Sequence, residues 1–197
     1  MEKLESVVQA LRRRGYEAML VTREETVAFV RGKAAAVQSV GWGGSETVKA
    51  LGLREALAAT GVEIRDHRTD CDLFLLSANA LTTGGLIVNI DGTGNRVAAS
   101  IYGPKQVVYV VGSNKLVDGG IEDAIRRVKR EACPPNCRRL GKHTPCAEGG
   151  CPALADPKVL GPGCDSPDRI CKATVVFERP PSRTPTTVLL IDEPLGY

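Results

Sequence analysis

Aromatic residues, histidine and methionine are all scarce in this 197-residue chain: one Trp, four Tyr, three Phe, two His and two Met. With so few rings to stack on bases and a formal net charge of only +3, nothing announces a nucleic-acid partner. The Lys and Arg residues are interspersed with acids, as in LREALAATGVEIRDHRTD, which reads as a solvated mixed surface. No apolar run is long enough for a membrane-spanning helix, and no secretory leader is visible, so a cytoplasmic protein is expected. His67 and His143 stand far apart in charged surroundings, and no Ser/His/Asp or Cys/His arrangement is apparent, which disfavours hydrolase chemistry. P-loop and G-x-G-x-x-G signatures, C-x-x-C pairs and internal repeats are all missing.

What is present is a globular balance, 43% apolar and 25% charged, long enough for one domain spanning residues 1–197. MEKLESVVQALRRRG places Leu4, Val7, Val8 and Leu11 on one helical face. Thr22 with Glu25 three residues later forms a capping-box pattern ahead of a second helix. EAMLVT, AAAVQSVGW, VEIRD and CDLFLLSANAL read as strands, the last of buried type. Leu86–Ile90 reads as a further strand, Asp91–Asn95 as a polar turn, and Arg96–Tyr102 as a short helix. Gln106–Val111 reads as a buried strand, and Ile121–Ala132 as a helix. Alternation at this spacing predicts an α/β layered fold with a largely parallel sheet. An irregular cysteine-rich excursion over about 133–172 should precede two closing strands within about 173–193, antiparallel to each other across PPSRTP.

Three polar groups are candidates for chemistry. In GWGGSE, the amides near Gly43, Gly44 and Ser45 at a helix start suit a phosphate or carboxylate, although a tight turn with a Ser cap accounts for them equally well. Asn79, Asn89, Asp91, Asn95 and Arg96 fall at strand ends or turns, where open α/β sheets line their ligand crevice. Arg96 suits a bidentate anion clamp, and Asp91 is the carboxylate placed to act as a base. Lys115, after an apolar strand, is either a further anion contact or a surface lysine.

Six of the seven cysteines, Cys133, Cys137, Cys146, Cys151, Cys164 and Cys171, crowd into Pro- and Gly-rich sequence in the last third. In a reducing compartment such a cluster favours a metal or an iron–sulfur cluster over free structural thiols or disulfides.

VGWGGSETV, SANALTTGGLIVNIDGTGNRVAASIYGPKQVVYVVGSNKLV, RRLGKHTPC and CDSPDRIC together resemble the LUD-domain family of lactate-utilization proteins, over nearly the whole chain. The chain is similar to the compact stand-alone branch that ends in a cysteine-bearing segment, and not to the larger subunits with a separate ferredoxin-like domain. The resemblance implies a fold like that of ribose-phosphate isomerase, glucosamine-phosphate deaminase and CoA transferases, with a small anionic metabolite held at strand C-termini. It implies Cys146, Cys151, Cys164 and Cys171 as ligands, Cys133 and Cys137 standing where the family has small residues. Twelve residues separate Cys151 from Cys164, wider than the family pattern, which leaves Cys137 or His143 as the alternative to Cys151. The redox association favours an iron–sulfur cluster, 4Fe–4S, over zinc.

Three functions follow from this. The first is a protein supporting 2-hydroxy acid oxidation, with Arg96, Asn79 and Asn95 on the carboxylate. The second is a redox-inert isomerase or CoA-transferase type with Asp91 as base, Glu46 or Glu148 as the transferase glutamate, and a structural zinc. The third is a non-catalytic subunit of a partner oxidoreductase. A homodimer is the default assembly.

Overall fold

The computed structural model describes residues 1–66, 69–155 and 163–197; His67 and residues 156–162 of the insertion after Cys151 lie outside them. Helix α1 (Glu2–Arg13) buries Leu4, Val7, Val8 and Leu11, with acids in its first turn and Arg12 and Arg13 in its last, as the helix dipole favours. Strand β1 (Glu17–Val21) leads to α2 (Arg23–Ala34). There Thr22 Oγ1 accepts from Glu25 N at 3.2 Å, and Glu25 Oε2 accepts from Thr22 N at 2.8 Å. Then come β2 (Ser39–Trp42), α3 (Glu46–Ala50), α4 (Leu53–Ala58), β3 (Glu63–Asp66), β4 (Leu73–Leu76), β5 (Ala80–Thr82), β6 (Ile87–Asp91), α5 (Asn95–Ile101), β7 (Gln106–Gly112) and β8 (Leu116–Val117). The chain ends with α6 (Ile121–Arg127), α7 (Cys133–Arg139), α8 (Pro145–Glu148), β9 (Ala173–Phe177) and β10 (Thr186–Ile191).

Six strands form a parallel sheet in the order β1-β10-β7-β4-β2-β3. The alternation of side chains across the pleat divides its central strands between two cores. Leu73, Leu75, Val108, Val110, Leu189 and Ile191 pack beneath α2–α4 with Val30, Leu53 and Leu57. Phe74, Leu76, Val107, Tyr109, Val188 and Leu190 face α1 and the second sheet. That second sheet runs β8-β5-β6-β9, with β5 parallel to β8 and β6 antiparallel to both β5 and β9. Its outer face, Ala80, Val88 and Ile90, packs on Ala124, Ile125 and Val128 and on the cysteines of α7 and α8. The molecule is therefore an α/β layered fold with an all-parallel principal sheet.

Three expectations change. CDLFLLSANAL is two strands: β4 ends at Leu76, and the chain crosses through Ser77–Asn79 into the second sheet as β5. The closing strands do not pair with each other. All six residues of β10 are buried, and it slots between β1 and β7, a position that demands apolar side chains on both faces. Strand β9 has exposed and half-buried residues and takes an edge of the second sheet. Finally, the cysteine-rich stretch begins as helix. A π-helical turn, Val128–Ala132, joins α6 to α7, which carries Pro134 and Pro135 in its first turn. Prolines lack the N–H that an α-turn would use, and the wider turn before them relieves the clash with preceding carbonyls.

Candidate functional site

A cavity of about 360 Å³ opens where β2, β4 and β7 end. Parallel neighbours present their C-terminal loops on one edge, so three distant stretches of sequence meet there. Gly44 and Ser45 follow β2, Asn79 follows β4, and Lys115 follows β7; Asp91, Asn95 and Arg96 come from β6 and the start of α5, and all seven line the cavity. Gly43 lies just behind the wall. The aliphatic part of Arg96 crosses it so closely that a Cβ at Gly43 would overlap Arg96 Cγ.

Asn89 lies outside the cavity. It is fully buried, its Oδ1 accepting from Asn79 N at 2.9 Å and its Nδ2 donating to Tyr109 Oη at 3.3 Å. Asn79 Oδ1 in turn accepts from Ile90 N at 2.9 Å. The two asparagines stitch the crossing segment to β6 and set the cavity floor. Asp91 is also committed: its Oδ2 accepts from Val97 N at 3.3 Å in the first turn of α5 and lies 3.5 Å from Arg96 Nε. Arg96 Nη2 donates to Ile90 O at 3.0 Å, so both anchors aim the guanidinium along the cavity wall. Ser45 Oγ accepts from Val48 N at 3.3 Å as the cap of α3, a helix of only five residues that offers an anion little dipole.

The lining is rich in cations. Lys115, only 4% exposed, donates to Thr47 Oγ1 at 2.8 Å and Ser77 Oγ at 2.9 Å. Burial, with Arg127 and Arg96 nearby, pulls its amine down to about 7. Behind the wall, the buried Arg127 donates to Asn79 O at 2.7 Å, Asn114 O at 2.8 Å and Tyr197 O at 3.2 Å. Its Nε lies 3.4 Å from the Glu131 carboxylate, and burial lowers its affinity for a proton. At the mouth, Arg139 of α7 lies 3.5 Å from Glu46. Glu148 is exposed on α8, away from this cavity.

A second, much tighter pocket of about 20 Å³ lies beside the first, and Cys146, Cys151, Cys164 and Cys171 all face it, together with Cys137. All seven cysteines of the chain are free thiols. Cys133 Sγ lies 3.1 Å from Cys171 Sγ, and Cys146 Sγ lies 3.8 Å from Cys137 Sγ. Cys171 is the thiolate-prone member of its pair, held down by the hydrogen bond with Cys133 and by Arg169 and Lys129; the same hydrogen bond and burial push Cys133 far up. Burial also raises Cys137, to about 11, and Cys151. Arg169 ties the segment together, donating to Cys171 O at 2.8 Å and to Cys164 O at 3.2 Å. His143 is exposed, and its backbone N–H donates to Asp168 Oδ2 at 2.9 Å.

By donor chemistry the five thiols suit a soft metal or an iron–sulfur cluster, and Lys129 and Arg169 offset the charge of thiolates. Among the described residues, no three His, Cys, Asp or Glu side chains are already drawn to metal-ligand spacing.

The two pockets share a wall. Cys133 and Ile170 line the larger one, while the partner sulfur Cys171 and Ile170 line the smaller. Lys172 N donates to Asp91 O at 3.0 Å, which fastens the cysteine segment to the end of β6. Sequence reasoning singled out neither Thr47, Ser77 nor Arg127; it set Cys133 aside and kept Cys137 only as the alternative to Cys151. The helical spacing of Cys133 and Cys137, one turn apart, was the signal that both sulfurs sit on one face.

An open parallel sheet with a polar, cation-lined crevice at its strand C-termini defines a class of layered α/β proteins. Within that class the chain belongs to the LUD-domain family, whose profile, described as "LUD domain", matches residues 4–191. The fold is similar to that of a DUF162 family protein from Deinococcus radiodurans, known from its crystal structure, at a TM-score of 0.55 and 14% identity over 96% of each chain. No curated protein matches the sequence. No helix among the described residues is long and apolar enough to cross a membrane.

Proposed function

We propose that this chain is a lactate-utilization-type protein that holds a small carboxylate metabolite in the cationic cavity and a cysteine-ligated iron–sulfur cluster in the thiol pocket, supporting 2-hydroxy acid oxidation. The observation that carries this reading is the shared wall, with Cys133 in the metabolite cavity and its sulfur 3.1 Å from Cys171 in the thiol pocket. Arg96 takes the carboxylate: its Nη1 has no hydrogen-bond partner among the described residues, and its other nitrogens are fixed by Ile90 O and Asp91. Asp91 serves as the orienting group for Arg96 and α5, with Asn95 and Ser45 completing the polar lining. Cys146, Cys151, Cys164 and Cys171 are the ligands, with Cys137 on the same pocket as the alternative to Cys151. A bound cluster of this kind supplies one-electron transfer. A partner oxidoreductase subunit accepts or delivers those electrons, in the cytoplasm.

The test is anaerobic purification with iron, sulfide and zinc analysis, followed by calorimetric titration with lactate and glycolate. About four irons per chain, the content of a cubane cluster, together with acid binding that Arg96→Met abolishes, is the expected result. One zinc and no iron would make the tail a structural clip and turn the protein into a redox-inert enzyme. Binding that survives Arg96→Met would remove the carboxylate assignment.

A further inference from the structure

We infer that Lys115 is a nucleophile that captures a small 2-oxo acid as a covalent imine in the cationic cavity. The proposal rests on the reading of that cavity as a carboxylate site and adds a chemistry that needs no redox centre.

The geometry is specific. Lys115 Nζ lines the cavity and is held by two hydroxyl oxygens, Thr47 Oγ1 at 2.8 Å and Ser77 Oγ at 2.9 Å. Thr47 directs its own proton to Leu195 O at 3.0 Å, and Ser77 directs its proton to Ala78 O at 3.4 Å. Both hydroxyls therefore accept from Lys115, and its lone pair is left for the cavity. Among the described residues no carboxylate pairs with it, and its charged neighbours are Arg96 and Arg127. A lysine kept only to bind an anion would stay an ammonium; this environment favours the neutral amine, which is the nucleophilic form.

In the step, the Nζ lone pair attacks the carbonyl carbon of the acid, and a C–N bond forms as the C=O π bond opens. The alkoxide takes a proton from the nitrogen, with Thr47 or Ser77 as relay, to give a carbinolamine. Loss of hydroxide with the remaining amine proton releases one water and leaves C=N. No electrons are exchanged, and hydrolysis reverses the step. Arg96 holds the carboxylate of the same molecule.

Glyoxylate and pyruvate, each with cyanoborohydride, are the probes, read by intact mass and peptide mapping of the full-length protein. The expected result is one adduct per chain, heavier by the mass of the acid less one oxygen, confined to the peptide with Lys115 and absent from Lys115→Arg. Mapping in the unaltered protein keeps the assignment independent of whether that variant folds. Parallel calorimetry separates the two readings. Acid that binds without an adduct overturns the lysine role and leaves the carboxylate site standing. No binding and no adduct overturns both. An adduct spread over surface lysines also overturns the lysine role.

Discussion

At the scale of single residues, the cavity is decided by how each polar side chain is tied down. Gly43 is where Arg96 crosses the chain, so a methyl group there must displace the guanidinium. Gly43→Ala is expected to weaken carboxylate binding by about tenfold, the loss of roughly one charge-assisted hydrogen bond; calorimetry would check it, and unchanged affinity would show that Arg96 is not the clamp. Lys115 gives a stability signature of its own. Its folded-state pKa, about 7, lies below the ordinary value of 10.5, so the native chain binds fewer protons than the unfolded chain between those values. Folding is penalised in full below about 7, and stability recovers as pH rises from there to 10.5. The shifted thiols add to the slope in the same window, Cys171 being lowered and Cys71, Cys133, Cys137 and Cys151 raised. The part that belongs to Lys115 is therefore the difference between the natural protein and a variant without the amine. Urea unfolding across that window should show stability rising more with pH in the natural protein than in Lys115→Met; parallel profiles would mean that the amine is solvated and charged. These residues were partly legible beforehand. Asp91, Arg96 and Lys115 stood out because charged side chains at strand ends are rarely needed for turns alone. Thr47, Ser77 and Arg127 did not, since a hydroxyl or an arginine in a helix looks the same in sequence whether it faces solvent or a buried amine.

At the scale of elements, local rules served well wherever the stabilising groups are neighbours in sequence. Thr22 and Glu25 close their capping box within one turn, and the substitution Thr22→Ala should cost about 1 kcal/mol. Chemical denaturation would measure it, with no change expected in the cavity. The amphipathic α1 was equally readable from its period. Local rules failed at two junctions. The apolar run through Leu76 and Ala80 breaks at Ser77–Asn79 because Asn79 and Asn89 trade side-chain bonds for backbone bonds and redirect the chain to another sheet. The prolines after Cys133 signalled an irregular loop, yet the π-helical turn before them lets α7 form and brings Cys133 and Cys137 inward.

At the scale of the whole molecule, two pockets depend on the order of the strands. The principal sheet brings β2, β4 and β7 side by side, and the second sheet carries Asp91 and Arg96 across to them. Cys146→Ser and Cys171→Ser should each lower the iron content of anaerobically purified protein sharply, whereas Cys71→Ala, in the core beneath α1, should not. Equal losses in all three would point to misfolding and remove the ligand assignment. Backbone exchange should be slowest in β4, β7 and β10, each paired on both sides and buried on both faces, and fast at the edge strand β9.

The sequence by itself determined most of the elements, the α/β class, the family and most of the polar residues of the cavity, because periodicity, capping and motif are written in adjacent positions. Only the tertiary structure decided that β9 and β10 part company, that Asn89 lies under the floor, that Lys115 loses its solvent, and that Cys133 joins the two pockets. Those outcomes rest on contacts between segments far apart in the chain, and on burial, which no single stretch of sequence specifies.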